Sequence, residues 1–359
     1  MIKLDQDVIQ QLHGNREISF RYDLLNYNEL KIGELTSLGG NLGLSSLAQI
    51  KRKGNFNFKE NELKDVDWLN DKIQPVFILN RKQEFPLGVF MISSPSRSLK
   101  RKQIYRQVEC FDTSMVLLED KFDTRYRIVK NTNYVTAITQ IIGSAGIWKI
   151  NIPSIGVTLN NDREFEIGTS KLDAVNELLQ EINYTSVWVD ELGNFTASPY
   201  ILPNDRVVEY TYKNDNMSII VPDTATEEMD LFSVPNKWVV VATNPETDPL
   251  VSRYTNNNAG SITSVVNRRR VIVDFREVDN IASQQILDDY TRRIAYEASN
   301  VYGKFIFDTA LMPHHSYLDA LYCEHTDLGI SNKYIETSWE MELKAGGKMS
   351  HSVRRVIRI

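Results

Sequence analysis

Four side chains able to ligate a metal, His314, His315, Cys323 and His325, fall in one short stretch. In a strand, Cys323 and His325 project from the same face, and two neighbouring imidazoles could complete the four donors of a tetrahedral zinc site. The spacing of these residues is not a recurrent zinc pattern, and Pro313 opens a loop just before them. The plainer reading is ordinary strand and loop histidines, so the four stand as metal candidates and no cofactor is expected. A cysteine nucleophile needs a histidine base and a third, orienting group. Cys110 has no such partner visible in the sequence, and nothing marks a nucleophile turn at Cys323. The 47 acidic residues single out no carboxylate pair for glycosidic chemistry. Dinucleotide, P-loop, zinc-protease, serine-hydrolase and CxxC signatures are all missing. Gly39-Gly40-Asn41-Leu42-Gly43 has the wrong spacing for a phosphate cradle and reads as a turn. The expectation is a protein that is not an enzyme.

A formal charge of -6 argues against an overall nucleic-acid footprint, which would show as a basic domain or stripe. Basic clusters are local: Lys51-Arg52-Lys53, Arg97 with Lys100-Arg101-Lys102, Arg268-Arg269-Arg270, and Arg354-Arg355 with Arg358. Such clusters beside strands usually guard solvated edges. The sharper alternative is ion pairing between subunits or a lumen that meets a polyanion. The two cysteines, more than two hundred residues apart, read as reduced thiols. The N-terminus has no apolar signal region and no stretch reaches the 18 or so apolar residues of a span. Synthesis in the cytoplasm and no stable membrane insertion are therefore expected.

The elements that must position these residues follow from hydrophobic period. Residues 18–111 read as short strands: Phe56 and Phe58 alternate with Asn55 and Asn57, and residues 105–111 alternate again. Asn133 or Thr132 can cap a helix carrying Val135, Ile138, Ile141 and Ile142, with Gly143 or Gly146 to end it. Ser170 opens a second helix with capping-box spacing and an apolar face of Leu172, Val175, Leu178, Leu179 and Ile182. A hairpin around Gly193 follows. Strands return at 207–212, 237–242, 270–275, 304–309, 336–343 and 353–359, interrupted by a helix at about 281–299. Residues 244–260, with Pro245 and Pro249, read as a long polar loop. The fold class is α+β, mainly β: two barrel-like β domains, 1–129 and 206–359, flanking a small α+β domain at 130–205.

The chain also resembles the tail or baseplate hub proteins of phages that infect Gram-positive bacteria and, more distantly, the hubs of contractile tails and type VI secretion spikes. The stretches that carry the resemblance are Val66-Asp67-Trp68-Leu69-Asn70, Phe85-Pro86-Leu87-Gly88-Val89-Phe90, Ile182 through Asp190, Val234 through Val241, and Glu336-Thr337-Ser338-Trp339-Glu340-Met341. The resemblance implies a homotrimer whose two barrel-like domains per subunit alternate in a pseudo-sixfold ring. Such a ring adapts a sixfold tail tube to a threefold tip. Implied partners are the distal tail or tail tube protein, a tail spike or fibre, and the tape-measure protein and DNA passing through the lumen. The implied location is the virion tail tip. Some hubs carry a fused wall-degrading domain, for which a chain ending at Ile359 leaves no room. Candidate interface or lumen residues are Arg268, Arg269, Arg270, Val353, Arg355, Ile357 and Ile359, although the last four also suit an internal strand. The alternatives are a distal tail or receptor-binding component that contacts cell-wall carbohydrate, and a cell-wall hydrolase of the tail tip.

Overall fold

The computed structural model describes residues 1–60, 66–100, 102–215, 218–229, 232, 234–244, 247–279, 281, 283–300, 303–356 and 359. Most strands belong to one 14-stranded sheet. Its order is Thr226–Met229, Gly303–Ala310, Lys348–Arg355, Ile330–Glu342, Ser37–Ser45, Arg52–Lys59, Gln103–Asp112, Phe90–Lys100, Lys72–Leu79, Ile18–Leu25 and Lys31–Leu35. Tyr210–Lys213 and Ala320–His325 extend it beside Ile330–Glu342, and Gln83–Pro86 pairs with Lys72–Leu79. The α+β, mainly-β class holds. No closed barrel forms among the described residues: the order runs open from one edge to the other, and the two β-rich parts are joined where Ile330–Glu342 pairs antiparallel with Ser37–Ser45.

The join follows from how apolar faces are shared. Phe56 and Phe58 point inward while Lys53, Asn55 and Asn57 point away, as the alternation requires. Their core is completed by residues from the far end of the chain, Leu311, Met312, Trp339, Met341, Leu343 and Met349. The apolar face of the first part is thus closed by residues of the last, and the strands that carry those residues pair. The glycine run is strand rather than turn. Gly39 takes a φ of +102°, and the ladder shifts register between Ser37 and Gly40. A Cβ on Gly40 would lie 2.2 Å from the Asn55 carbonyl oxygen, so the backbones approach there as only glycine allows.

The middle unit is built as its caps dictate. The Asn133 side chain accepts from the Thr136 amide at the start of Tyr134–Ser144, and Ser170 accepts from the Asp173 amide at the start of Lys171–Glu181. Their apolar faces meet Tyr184, Val187, Val189 and Phe195 in a separate core. The hairpin turns at Gly193, φ +86°, joining Trp188–Val189 to Phe195–Thr196. The helix Gln6–His13, with Val8 and Leu12 buried, has no counterpart in the sequence reading.

The long loop at 244–260 is a correction. Thr247–Thr255 is a strand that pairs with Lys237–Asn244, whose other side pairs parallel with Val273–Asp279. Pro249 is tolerated because this strand is an edge and needs a ladder on one side only. The helix Gln284–Asn300 covers one face of this sheet through Leu287, Tyr290, Ile294 and Ala295 against Trp238, Val240 and Ala242. The last strand also moves, from the expected 353–359 to Lys348–Arg355. Met349, His351 and Val353 alternate inward there, with ladders to neighbours on both sides.

Candidate functional site: a buried histidine–carboxylate network

His315 lies in the loop between Gly303–Ala310 and Ala320–His325; Glu336 and His351 come from adjacent strands. All three are buried. Nδ1 of His315 bonds one Glu336 oxygen at 2.6 Å, and Nδ1 of His351 bonds the other at 2.6 Å. The outer nitrogens are also engaged, His315 Nε2 with the Tyr212 hydroxyl at 2.6 Å and His351 Nε2 with the Thr309 hydroxyl at 2.8 Å. A second carboxylate, Asp319, accepts from the Ser316 amide at 2.7 Å and pairs with the α-amine of Met1 at 2.6 Å. That amine also bonds Glu209 at 2.9 Å.

Burial disfavours charge on every one of these groups, and the pairing decides which keep it. Burial pushes His315 down, but Glu336 and Asp319 outweigh it and lift the imidazole to about 9. Glu336 is held below the usual carboxylate range by the two imidazoles despite its burial. Asp319 is held low in the same way by His315 and the chain's amine. Burial wins at His351, which is lowered and stays neutral near pH 7. His314 is lowered further by burial and by its charged neighbour, and neither of its ring nitrogens has a hydrogen-bond partner.

The four metal candidates of the sequence do not assemble. Among the described residues, the one group of His, Cys, Asp and Glu side chains with converging ligand atoms is His315, Glu336 and His351, within 4.8 Å of one another. Only His315 belongs to both sets. This trio is a poor cation cage as it stands, because its ligand atoms sit at hydrogen-bond distance from each other and its outer nitrogens are used. Its chemistry is to hold a proton between two imidazoles and a carboxylate. The Cys323 thiol, which faces the same apolar core as Phe305 and Tyr334, is pushed well up by burial, as is that of Cys110. Neither is a thiolate nucleophile. His351 went unnoticed in the sequence, although its place between Met349 and Val353 in an alternating strand marks it as inward.

The basic clusters separate. Lys51 and Arg52 are buried rather than solvated. Lys51 donates to the Ser46 and Ala48 carbonyls at 2.8 and 2.6 Å, and burial pushes its amine down to about 8. Arg52 donates to the Leu87 carbonyl at 2.7 Å and pairs with Glu191. Arg97 and Arg106 share Glu60. Arg268 donates to the Val234 carbonyl at 2.6 Å, Arg269 is the left-handed cap of a short helix, and the Arg270 guanidinium lies 5.2 Å from the Phe232 ring. Val353 is wholly buried between Phe305 and Glu336 and offers no surface to a neighbour. Arg355 is half-buried, packed over Gly303. The Ile359 carbonyl accepts from the Tyr254 hydroxyl at 3.0 Å. Ile357, Arg358 and Arg101 lie outside the described residues.

The architecture matches solved structures along nearly its whole length. A tail protein from Neisseria meningitidis MC58 superposes with a TM-score of 0.67 at 9% identity, covering 94% of this chain and 97% of that one. The 43 kDa tail protein of prophage MuSo2 from Shewanella oneidensis gives 0.67 at 11% identity, covering 93% and 98%. The fold is that of phage tail proteins. It extends to the E. coli c3393 protein, a type VI secretion component with structural similarity to the T4 tail proteins gp27 and gp5, at a TM-score of 0.52 and 10% identity over 96% of this chain and 78% of that one. No protein-family model and no curated sequence matches the chain. The tail-protein fold is thus shared at 9–11% sequence identity.

Proposed function

We propose that the chain is a non-enzymatic structural subunit of a phage-type tail, a baseplate hub that forms a homotrimeric ring between tail tube and tip in the virion. The observation that carries this reading is the end-to-end match to tail proteins, with 97–98% of two of them covered. In this reading residues 1–129 and 206–359 supply the alternating ring elements and 130–205 the peripheral unit. The join between Ile330–Glu342 and Ser37–Ser45 then fixes the angle between the two ring elements of one subunit.

A ring also needs a face to give its neighbour. Val271, Val273 and Phe275 are each more than half exposed; Val273 and Phe275 lie in the strand Val273–Asp279 and alternate with Val278, which packs toward the helix Gln284–Asn300. Arg269 and Arg270 precede them in the chain and the exposed Glu277 follows. An exposed apolar strip with charged neighbours has the composition of a subunit contact. The tube protein, the spike or fibre, and the transiting tape-measure protein and DNA are the partners this role requires. No helix among the described residues is long and apolar enough to cross a membrane.

Class averages of the purified protein test the reading. A threefold ring with six lobes is the expected result, and Phe275→Asp should release monomers. A protein that stays monomeric at high concentration and gives no ring overturns it.

A further inference from the structure

A groove runs between the middle unit, the helix Gln284–Asn300 and the end of the large sheet. Two clefts of about 380 Å³ each form it, sharing Thr185, Tyr200, Ile201, Arg206, Tyr317 and Leu318. One end is cationic: the guanidiniums of Arg206, Arg293 and Arg354 line it against a single carboxylate, Glu297, while Asp190 and Glu191 lie at the other end. That excess stands out in a chain of net charge -6. The floor is a strand irregularity, since the ladder shifts register between Glu336 and Ser338 and leaves Thr337 at the groove. Bulges recur where a sheet re-aims side chains toward a site.

Arg293 is fixed rather than mobile. Its guanidinium donates to the Tyr184 carbonyl at 2.6 Å and to Glu297 at 2.9 Å, and lies 4.3 Å from the Tyr200 ring. Tyr317 is stacked on Trp188 with ring centres 5.2 Å apart and planes 15° apart. One face of each of these three rings is therefore occupied. The walls between the cations are apolar, from Leu47, Ile201, Pro203, Leu318 and Ile335. Those walls suit side chains of a polypeptide better than a bare phosphodiester chain.

We infer that this groove binds an extended peptide segment of another polypeptide, with its carboxylates at the arginine end and its apolar side chains against the Ile201 and Leu318 walls. Preformed guanidiniums in a partly desolvated cleft favour carboxylates by charge-assisted hydrogen bonds. The inference is independent of ring formation, because the groove is complete within one chain.

The test is fluorescence anisotropy on the full chain with a fluorescein-labelled, acetylated peptide of alternating glutamate and leucine. Saturable binding that weakens with added salt is expected. The double variant Arg206→Gln, Arg354→Gln should weaken it about tenfold or more. Leu47→Glu adds a carboxylate at a rim position that is 75% exposed, so it leaves the fold untouched and should weaken binding in the same direction. No saturation at about 1 mM peptide, a range weaker than most functional contacts, overturns the inference, as does unchanged affinity in both variants. Tighter binding of poly(glycerol phosphate) or of purified wall polysaccharide than of the peptide also overturns it, in favour of a surface-polymer site.

Discussion

Arg52 and Glu191 are paired across the boundary between the large sheet and the middle unit, 139 positions apart in the chain. Arg52 is 1% exposed. Glu191 also accepts from the Ser316 hydroxyl at 2.7 Å, and the Ser316 carbonyl accepts from the Trp339 indole at 3.2 Å. One carboxylate thus ties together residues from the first, middle and last thirds. Removing one member of a buried pair strands the other charge and costs about 3–5 kcal/mol. Glu191→Ala should therefore loosen the middle unit, seen as faster hydrogen exchange in the helix Lys171–Glu181. Adding Arg52→Met to that variant should recover part of the loss, because it removes the stranded charge. Equal exchange in parent and Glu191→Ala would contradict the tie.

The histidine network sets a pH dependence on both sides of neutrality. His351 and His314 have folded values below their ordinary one, so the unfolded chain binds more protons as pH falls, and stability drops below about pH 6.5. Glu336 and Asp319 are also depressed, and their contribution, full above the usual carboxylate range, is lost as pH falls further. His315 has the opposite sign: raised to about 9, its contribution is full below about pH 6.5 and disappears as pH rises through 9. Its size is on the order of 3 kcal/mol. Thermal melts across pH 4–10 (roughly the span of these groups) should peak near neutrality, and His315→Gln should flatten the alkaline limb. A melt that keeps rising to pH 9 in the parent would sink the assignment of the proton to His315.

What the sequence revealed and what it hid divide along the range of the interactions. The helices at Tyr134–Ser144 and Lys171–Glu181 were legible because caps and period act within a few residues. The strand Arg52–Lys59 was legible from its alternation alone. The joined sheet was not, since it depends on which distant strand Ser37–Ser45 meets. The histidine network hid for the same reason: Glu336 and His351 come to His315 only through tertiary pairing, while the sequence drew the eye to His314, His315, Cys323 and His325, which are near one another in the chain. Thr247–Thr255 was masked by Pro249, whose penalty vanishes at a sheet edge.

The cap at Ser170 makes a smaller, cleaner prediction. Its hydroxyl accepts from the Asp173 amide at 3.0 Å and donates to the Asp173 carboxylate at 2.6 Å. Ser170→Ala should cost about 1 kcal/mol, and Ser170→Thr should retain most of the stability, because its hydroxyl can both accept from the same amide and donate to the Asp173 carboxylate. Urea unfolding followed by circular dichroism distinguishes the two, and a neutral alanine variant would show that the helix is held by its packing alone.

Gly40 tests the join between the two halves of the sheet. The carbonyl of Gly40 accepts from the Leu343 amide at 2.8 Å, so this residue sits where the ladder crosses from the first part of the chain to the last. A methyl group there would have to displace the Asn55 oxygen now 2.2 Å from its ideal position, and that oxygen is backbone, which gives way only by breaking the strand pairing. Gly40→Ala is therefore expected to cost more than the roughly 1–3 kcal/mol of ordinary overpacking, and to appear as protein that is insoluble or proteolysed between residues 40 and 60. Gly33→Ala, where nothing lies within 4 Å of the added carbon, is the matched control and should behave as the parent. Wild-type yield and melting temperature in Gly40→Ala would mean that the close approach of these strands does not define the join.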